Sequence, residues 1–431
     1  MAYAIGVIVL VVGIIVSVAL HELGHMIPAK RFGVRVSQYM VGFGPTIWSR
    51  TKGETEYGFK WILAGGYVRL IGMYPPAPPD SRPRRGRIAE LVRSAREASA
   101  DEILPGQESR AFYNLSAPKK LVVMLGGPVM NLVIAFVLLT IVQVGFGALQ
   151  VDTQVRSVAA CVPSSSAEAD ATCTPGTDST SPAAAAGLQE GDRITAVDGV
   201  ATPTWDEVSE AIRQSGGSTI TLEVDRDGAT QTLSMTPRTV QRTVVAEDGS
   251  SSVQAVPVIG VSPGYTYVRQ SIGTVPGLVW DQVAGTVKAV ATLPVQVAKV
   301  AQSAFGHTAR SQDTIMSVVG VGRVAGEVTS TDTAGLPGTV HLVQMLVLLA
   351  SLNIALFVFN LIPLPPLDGG HVVGALYEGA RRQVARWRGR QRPGPADTAR
   401  LVPVAYGAFI VLTAMGVLLM YADVVAPVPL G

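Results

Sequence analysis

Four stretches of this chain contain no Asp, Glu, Lys or Arg: Ala2 to Leu20, Leu121 to Leu149, His341 to Pro366 and Leu401 to Tyr421. A helix rises about 1.5 Å per residue, so roughly 20 uncharged residues cross the ~30 Å hydrocarbon layer of a bilayer. Lipid offers no hydrogen bonds, and a helix is the form in which such a run satisfies its own backbone. Composition agrees, because 15% of the 431 residues are charged against about 25% in soluble domains. The first run has no basic n-region and no small-residue cleavage site before His21, so it reads as a span and not as a signal peptide. A multi-pass membrane protein is expected. Hydrophobicity excludes disorder, and a net charge of +2 excludes a strongly basic binder of nucleic acid.

That near-zero total conceals a partition. From Glu22 to Lys120 the balance of basic over acidic residues is +7, from Gln150 to Val340 it is −8, and from Val372 to Arg400 it is +5. Lys and Arg accumulate on the cytoplasmic side, so both basic segments are expected inside and both chain termini outside.

At the inner end of the first run stands His21-Glu22-Leu23-Gly24-His25. Histidines four residues apart share one face of a helix, the spacing that suits two imidazoles on one zinc ion, with the Glu as general base. Catalytic zinc keeps three protein ligands and an open position, so one more donor is required at membrane depth. The candidate is Asp368, in Asn360-Leu361-Ile362-Pro363-Leu364-Pro365-Pro366-Leu367-Asp368-Gly369-Gly370-His371. Its prolines prevent a regular helix, and irregular backbone at this depth is tolerated only inside protein or along a watery cavity. Two carboxylates against one Zn2+ also leave the centre neutral. Asn360 is placed to hydrogen-bond substrate, and His371 either shares that role or is structural.

HELGH on a first span and N-x-x-P-x-P-x-L-D-G-G on a late one resemble the site-2 protease family of intramembrane zinc metalloproteases, in particular the bacterial PDZ-containing group of the regulator of sigma-E protease type. Gly65-Gly66-Tyr67-Val68 and Gly126-Gly127-Pro128-Val129-Met130-Asn131 extend the resemblance. It implies His21, His25 and Asp368 as zinc ligands, Glu22 as the catalytic residue and Asn360 as a substrate contact. It also implies hydrolysis of single-span membrane proteins, anti-sigma factors among them, in regulated intramembrane proteolysis at a bacterial plasma membrane. The competing reading is a catalytically silent PDZ-containing membrane receptor or chaperone.

The expected fold is a four-helix transmembrane metalloprotease core with a membrane-associated β-hairpin or sheet and one extracytoplasmic PDZ-like α+β domain. Residues 1–31 form the first span and 32–74 the β element, in which Gly65-Gly66 reads as a two-residue hairpin turn close to bound substrate. Residues 75–120 are a cytoplasmic linker and surface helix, and 121–149 the second span. There Asn131 should face the protein interior, as a substrate contact or a support for the ligands. An outer loop, 150–180, carries Cys161 and Cys173, candidates for a disulfide outside the cell. The PDZ-like domain, 181–263, has a helical window from Thr204 to Gln214 and a turn at Asp227-Gly228. It would act as a size filter or bind an extended peptide. Amphipathic helices on the outer leaflet occupy 264–340, the third span 341–371, a basic loop 372–400 and the last span 401–431.

Overall fold

The computed structural model describes residues 2–77, 86–162, 179–245, 251–306, 315–330, 338–391 and 393–428. In chain order, helix α1 (Ala2–Arg31) is followed by strands β1 (Val36–Lys52) and β2 (Thr55–Leu70), then α2 (Arg87–Asp101) and α3 (Ala117–Thr140). The next segment holds β3 (Ala148–Val158), β4 (Cys161–Val162), β5 (Ser179–Thr180), α4 (Pro182–Ala185), β6 (Arg193–Val197), β7 (Val200–Ala201) and α5 (Trp205–Gln214). It continues with β8 (Ile220–Arg226), β9 (Ala229–Met235), β10 (Arg238–Val245), β11 (Ser251–Val258) and β12 (Val261–Val268). The chain ends with α6 (Val275–Ala291), α7 (Leu293–Gly306), α8 (Val318–Ser330), α9 (Val340–Asn360), α10 (Asp368–Trp387) and α11 (Val402–Val425). Two compact units result, one chiefly Gly145–Gln270 and the other built from the helices and the β1–β2 sheet.

Among the described residues four helices are long and apolar enough to cross a membrane: Ala2–Arg31, Ala117–Phe146, Val340–Asn360 and Thr398–Val425. Helix α1 packs on α3 through glycines. A Cβ on Gly24 would strike the carbonyl of Gly126, and one on Gly126 the carbonyl of Gly24, so the two backbones touch where a side chain would separate them. Leu10 of α1 is buried with Ala325 of α8 and with Met345 and Leu349 of α9. Val275 and Val279 of α6 close over Ala135 and Leu139 of α3. The Gly-rich helix α8 thus packs on the N-terminal half of α1, away from the HELGH turn.

In the helical unit three expectations need correction. Gly65-Gly66 is not a hairpin turn: Gly66 pairs with Val41 inside β2, and the tight reversal between β1 and β2 lies at Gly53-Glu54, with Gly53 at φ 66°. Both strands bend, so Gln38–Val41 is bordered by Arg69–Gly66 on one side and by Glu56–Phe59 on the other. The third span does not run to residue 371. Helix α9 stops at Asn360 and a new helix starts at Asp368, because prolines 363, 365 and 366 remove the donors that would carry one helix into the next. The segment 372–400, read as a loop, is helical through Trp387, and its burial of Gly374, Ala375 and Glu378 explains why.

In the Gly145–Gln270 unit a sheet of order β12-β3-β6-β8-β9 covers α5, so residues 150–180 are not only loop: β3 lies between β12 and β6. The core joins Ile194, Val197, Ile220, Leu222 and Val224 of the sheet to Val208 and Ile212 of α5. Thr204 caps α5 reciprocally with Glu207. Asp227 and Gly228, with φ of 53° and 82°, make the tight turn between β8 and β9 that Asp-Gly favours. Asp192 is 1% exposed and paired with Arg226 at 2.6 Å, which holds its carboxyl below the usual range. Cys161 is disulfide-bonded, whereas Cys173, its candidate partner, lies outside the described residues.

Candidate metal and catalytic site

The last turns of α1 place His21 and His25 on one face, with ring centroids 4.9 Å apart and edge to face. The first turn of α10 brings Asp368 to them. Its Oδ2 stands 3.4 Å from His21 Nε2 and 3.3 Å from His25 Nε2, and the two Nε2 atoms are 3.2 Å apart. One donor atom from each residue lies within 4.8 Å of the others. In a tetrahedral site with bonds of about 2.0–2.1 Å, adjacent donors are ~3.3 Å apart. These three fit that edge length.

Protonation supports the same conclusion. His25 Nδ1–H donates to the carbonyl of Val123 at 2.8 Å, so its Nε2 carries a lone pair. The Asn131 amide stands 3.1 Å from His21 Nδ1 while its Oδ1 is buried without a partner. Turning the amide lets its oxygen accept the Nδ1–H and leaves His21 Nε2 as a lone pair too. Asp368 Oδ2 accepts no hydrogen bond. Two lone pairs and a carboxylate oxygen facing one point repel one another unless a cation stands between them.

Helix α3 builds the back of this site with one row of residues, 123, 127 and 131, spaced by four. Val123 and Asn131 orient the rings. Gly127 leaves room between them: a Cβ there would meet Cε1 and Nε2 of His21 at 2.7 Å and His25 Nε2 still closer. Asn131 is fully buried beside His21 and does not line the cavity described below. Gly369 and Gly370 serve α10 similarly. A Cβ on Gly369 would lie 2.5 Å from the carbonyl of Leu361, and one on Gly370 2.5 Å from Pro365 N, so only glycine lets the first turn of α10 fold back onto the proline loop.

A cavity of about 720 Å³ opens at the cluster. Glu22, Asn360 and His371 line it together with His21, His25 and Asp368. Gly66 also lines it, because a Cβ there would approach Glu22 Cγ to 3.1 Å and Val18 Cγ1 to 3.0 Å, so this glycine brings the sheet edge against the HELGH helix. Gly65 is absent from the lining and packs against Phe43. Glu22 faces the backbone N–H of Val68.

One buried cluster beside the site carries no signal in a linear reading. Glu378 of α10, 2% exposed, accepts from Lys120 of α3 at 2.7 Å and from the Ala396 N–H at 2.9 Å, and is ion-paired with Arg382 at 2.8 Å. It ties the helix bearing Asp368 to the helix that orients the histidines.

The chain matches Peptidase family M50 over residues 9–391. It is 32% identical over 441 residues to zinc metalloprotease Rip1 of Mycobacterium tuberculosis, covering 100% of both chains. Rip1 of Mycolicibacterium smegmatis is 33% identical over 444 residues, with 99% of each chain covered. Zinc metalloprotease RasP of Oceanobacillus iheyensis is 26% identical over 435 residues, covering 86% of this chain and 90% of the relative.

Proposed function

Because the chain belongs to Peptidase family M50, we propose that it is a zinc-dependent site-2 protease whose metal is held by His21, His25 and Asp368 and whose general base is Glu22. The observation that carries this is the convergence of two imidazole nitrogens and a carboxylate oxygen at 3.2–3.4 Å, with Glu22 and Asn360 in the same cavity. Zinc, when bound, supplies Lewis acidity that polarises a carbonyl and acidifies a water. Glu22 takes the proton from the attacking water and returns it to the leaving amine, a round trip that its place one residue from His21 allows. Asn360 orients the substrate backbone from the end of α9.

The substrate is a single-span membrane protein, with anti-sigma factors the favoured class. A transmembrane helix conceals its carbonyls in i to i−4 bonds, so cleavage requires an unwound segment. The Gly66–Leu70 part of β2 lines the cavity, and strand addition along it would hold that segment extended. The sheet itself suits the membrane: Phe43, Trp48, Phe59, Trp61 and Ile62 are exposed, Trp61 by 70%. The charge partition supports a topology with the basic segments in the cytoplasm and both termini and the Gly145–Gln270 unit outside. We read that unit as PDZ-like, a reading that its sheet and helix α5 support, and a cavity of about 520 Å³ beside α5, lined by Trp205, Ser209, Ile212, Arg213 and Val258, suits an extended peptide.

The test is reconstitution of the purified chain with single-span substrates, comparing wild type with Glu22→Gln. Loss of cleavage at equal zinc content is expected. Equal cleavage by both refutes the role of Glu22, and full zinc content in Asp368→Asn refutes the ligand set.

A further inference from the structure

The cavity is larger than catalysis alone requires. A water takes about 30 Å³ of liquid volume, and about 720 Å³ are present. Beyond the three donor atoms and the β2 edge, the space runs past Met73 and Tyr74 to a wall made by Ala95, Ala98 and Ser99 of α2 and by Val402, Ala405 and Tyr406 of α11. Positions 95, 98 and 99 form one face of α2, which Glu102 continues at the helix C-cap, and all four line the cavity. The opposite face is charged and exposed, with Arg93 between Glu90 and Glu97.

This wall is fixed. Arg96 holds Asp397 through two bonds of 2.7 and 2.6 Å, with both side chains less than one-fifth exposed. Ser99 Oγ accepts from Tyr74 N at 3.1 Å, and Arg69 pairs with Glu102 at 2.9 Å across the rim. The room between the metal ligands and α2 therefore exists because residues 95, 98 and 405 are alanines, not because the helix is loosely placed.

We propose that this space is a substrate subsite that receives a large apolar side chain, of leucine size or aromatic, from the residue next to the scissile bond. The inference rests on the metalloprotease reading above. An extended segment lying along Gly66–Leu70 sends successive side chains to opposite faces, and the one leaving the sheet beside the metal ligands enters the α2–α11 wall. Tyr74 and Tyr406 supply aromatic surface, and the alanines supply depth. Ala98 and Ala405 are therefore specificity-determining positions on two different helices.

Hydroxamic acids test this without a known substrate, because the hydroxamate anchors on zinc and its neighbouring side chain probes the subsite. The probes are peptide hydroxamates bearing hydrogen, isobutyl or naphthylmethyl at that position, titrated into the full-length zinc-loaded protein in detergent. In wild type the isobutyl and naphthylmethyl compounds should bind at least tenfold tighter than the unsubstituted one. Ala98→Trp and Ala405→Trp should each abolish that advantage while leaving zinc content and unsubstituted binding unchanged. Equal affinity of all three compounds for wild type overturns the subsite, as does an advantage that survives both substitutions. Failure of even the unsubstituted hydroxamate to bind refutes the metal centre itself, and the subsite with it.

Discussion

Gly127→Ala probes the histidine pair directly. The added Cβ would stand 2.7 Å from Cε1 and Nε2 of His21 and closer to His25 Nε2. Nonbonded heavy atoms keep to about 3.5 Å, so the His21 ring would have to retreat by roughly 0.8 Å and the His25 ring by more, against a ligand-distance tolerance of about 0.2 Å. They are not free to do so: His25 is tied to Val123 at 2.8 Å and His21 meets Asn131 at 3.1 Å. Losing one supporting contact costs about 10–100-fold in metal affinity, or about 1.4–2.7 kcal/mol, and this substitution disturbs two. A fall in zinc affinity of at least that size is expected, measured on the detergent-purified chain by competition with a chromophoric chelator. Gly416→Ala, whose Cβ would meet nothing within 4 Å, is the control and should bind like wild type. Gly127→Ala protein that is folded by circular dichroism and binds zinc with native affinity would refute the assigned geometry.

Glu378→Ala should lower stability by about 3–5 kcal/mol, because it strands Lys120 and Arg382, whose side chains are only 8% and 16% exposed; a denaturant midpoint in detergent that does not move would contradict this. In the Gly145–Gln270 unit, Asp192 has its carboxyl lowered by Arg226, so the stability it contributes is present above the ordinary carboxylate range and lost as pH falls through the depressed value. Amide exchange in β6 and β8 of the full chain should accelerate across that acid window, and Arg226→Ala should move the acceleration to higher pH. Thr204→Ala removes the α5 capping box and should cost about 0.5–2 kcal/mol, seen as faster exchange in the first turn of α5 with the transmembrane helices unaffected.

Much of the site is legible in one dimension because its chemistry is local. Helix period puts His21 and His25 on one face whatever surrounds them, and three prolines at membrane depth mark the segment that delivers Asp368. The Asp227-Gly228 turn and the Thr204 cap are legible for the same reason: each satisfies its own backbone within four residues. Gly65-Gly66 misleads because two glycines signal a turn only when the chain reverses there, and in this protein Gly66 is needed for the approach of a sheet edge to Glu22. The continuation of α10 to Trp387 was equally concealed, since an Arg-rich stretch reads as solvated loop until Glu378 is seen buried against Lys120.

The sequence by itself determined the solvent, the charge partition and the shared helix face of His21 and His25, since these depend on counts and on spacings within a turn. Tertiary structure decided what surrounds them. Residues 123, 127 and 131 orient the rings and 95, 98 and 405 bound the cavity, each set acting across a helix interface. Whether a glycine or alanine there is mere spacing or a shaped void depends on which atoms stand opposite it, and those come from elsewhere in the chain.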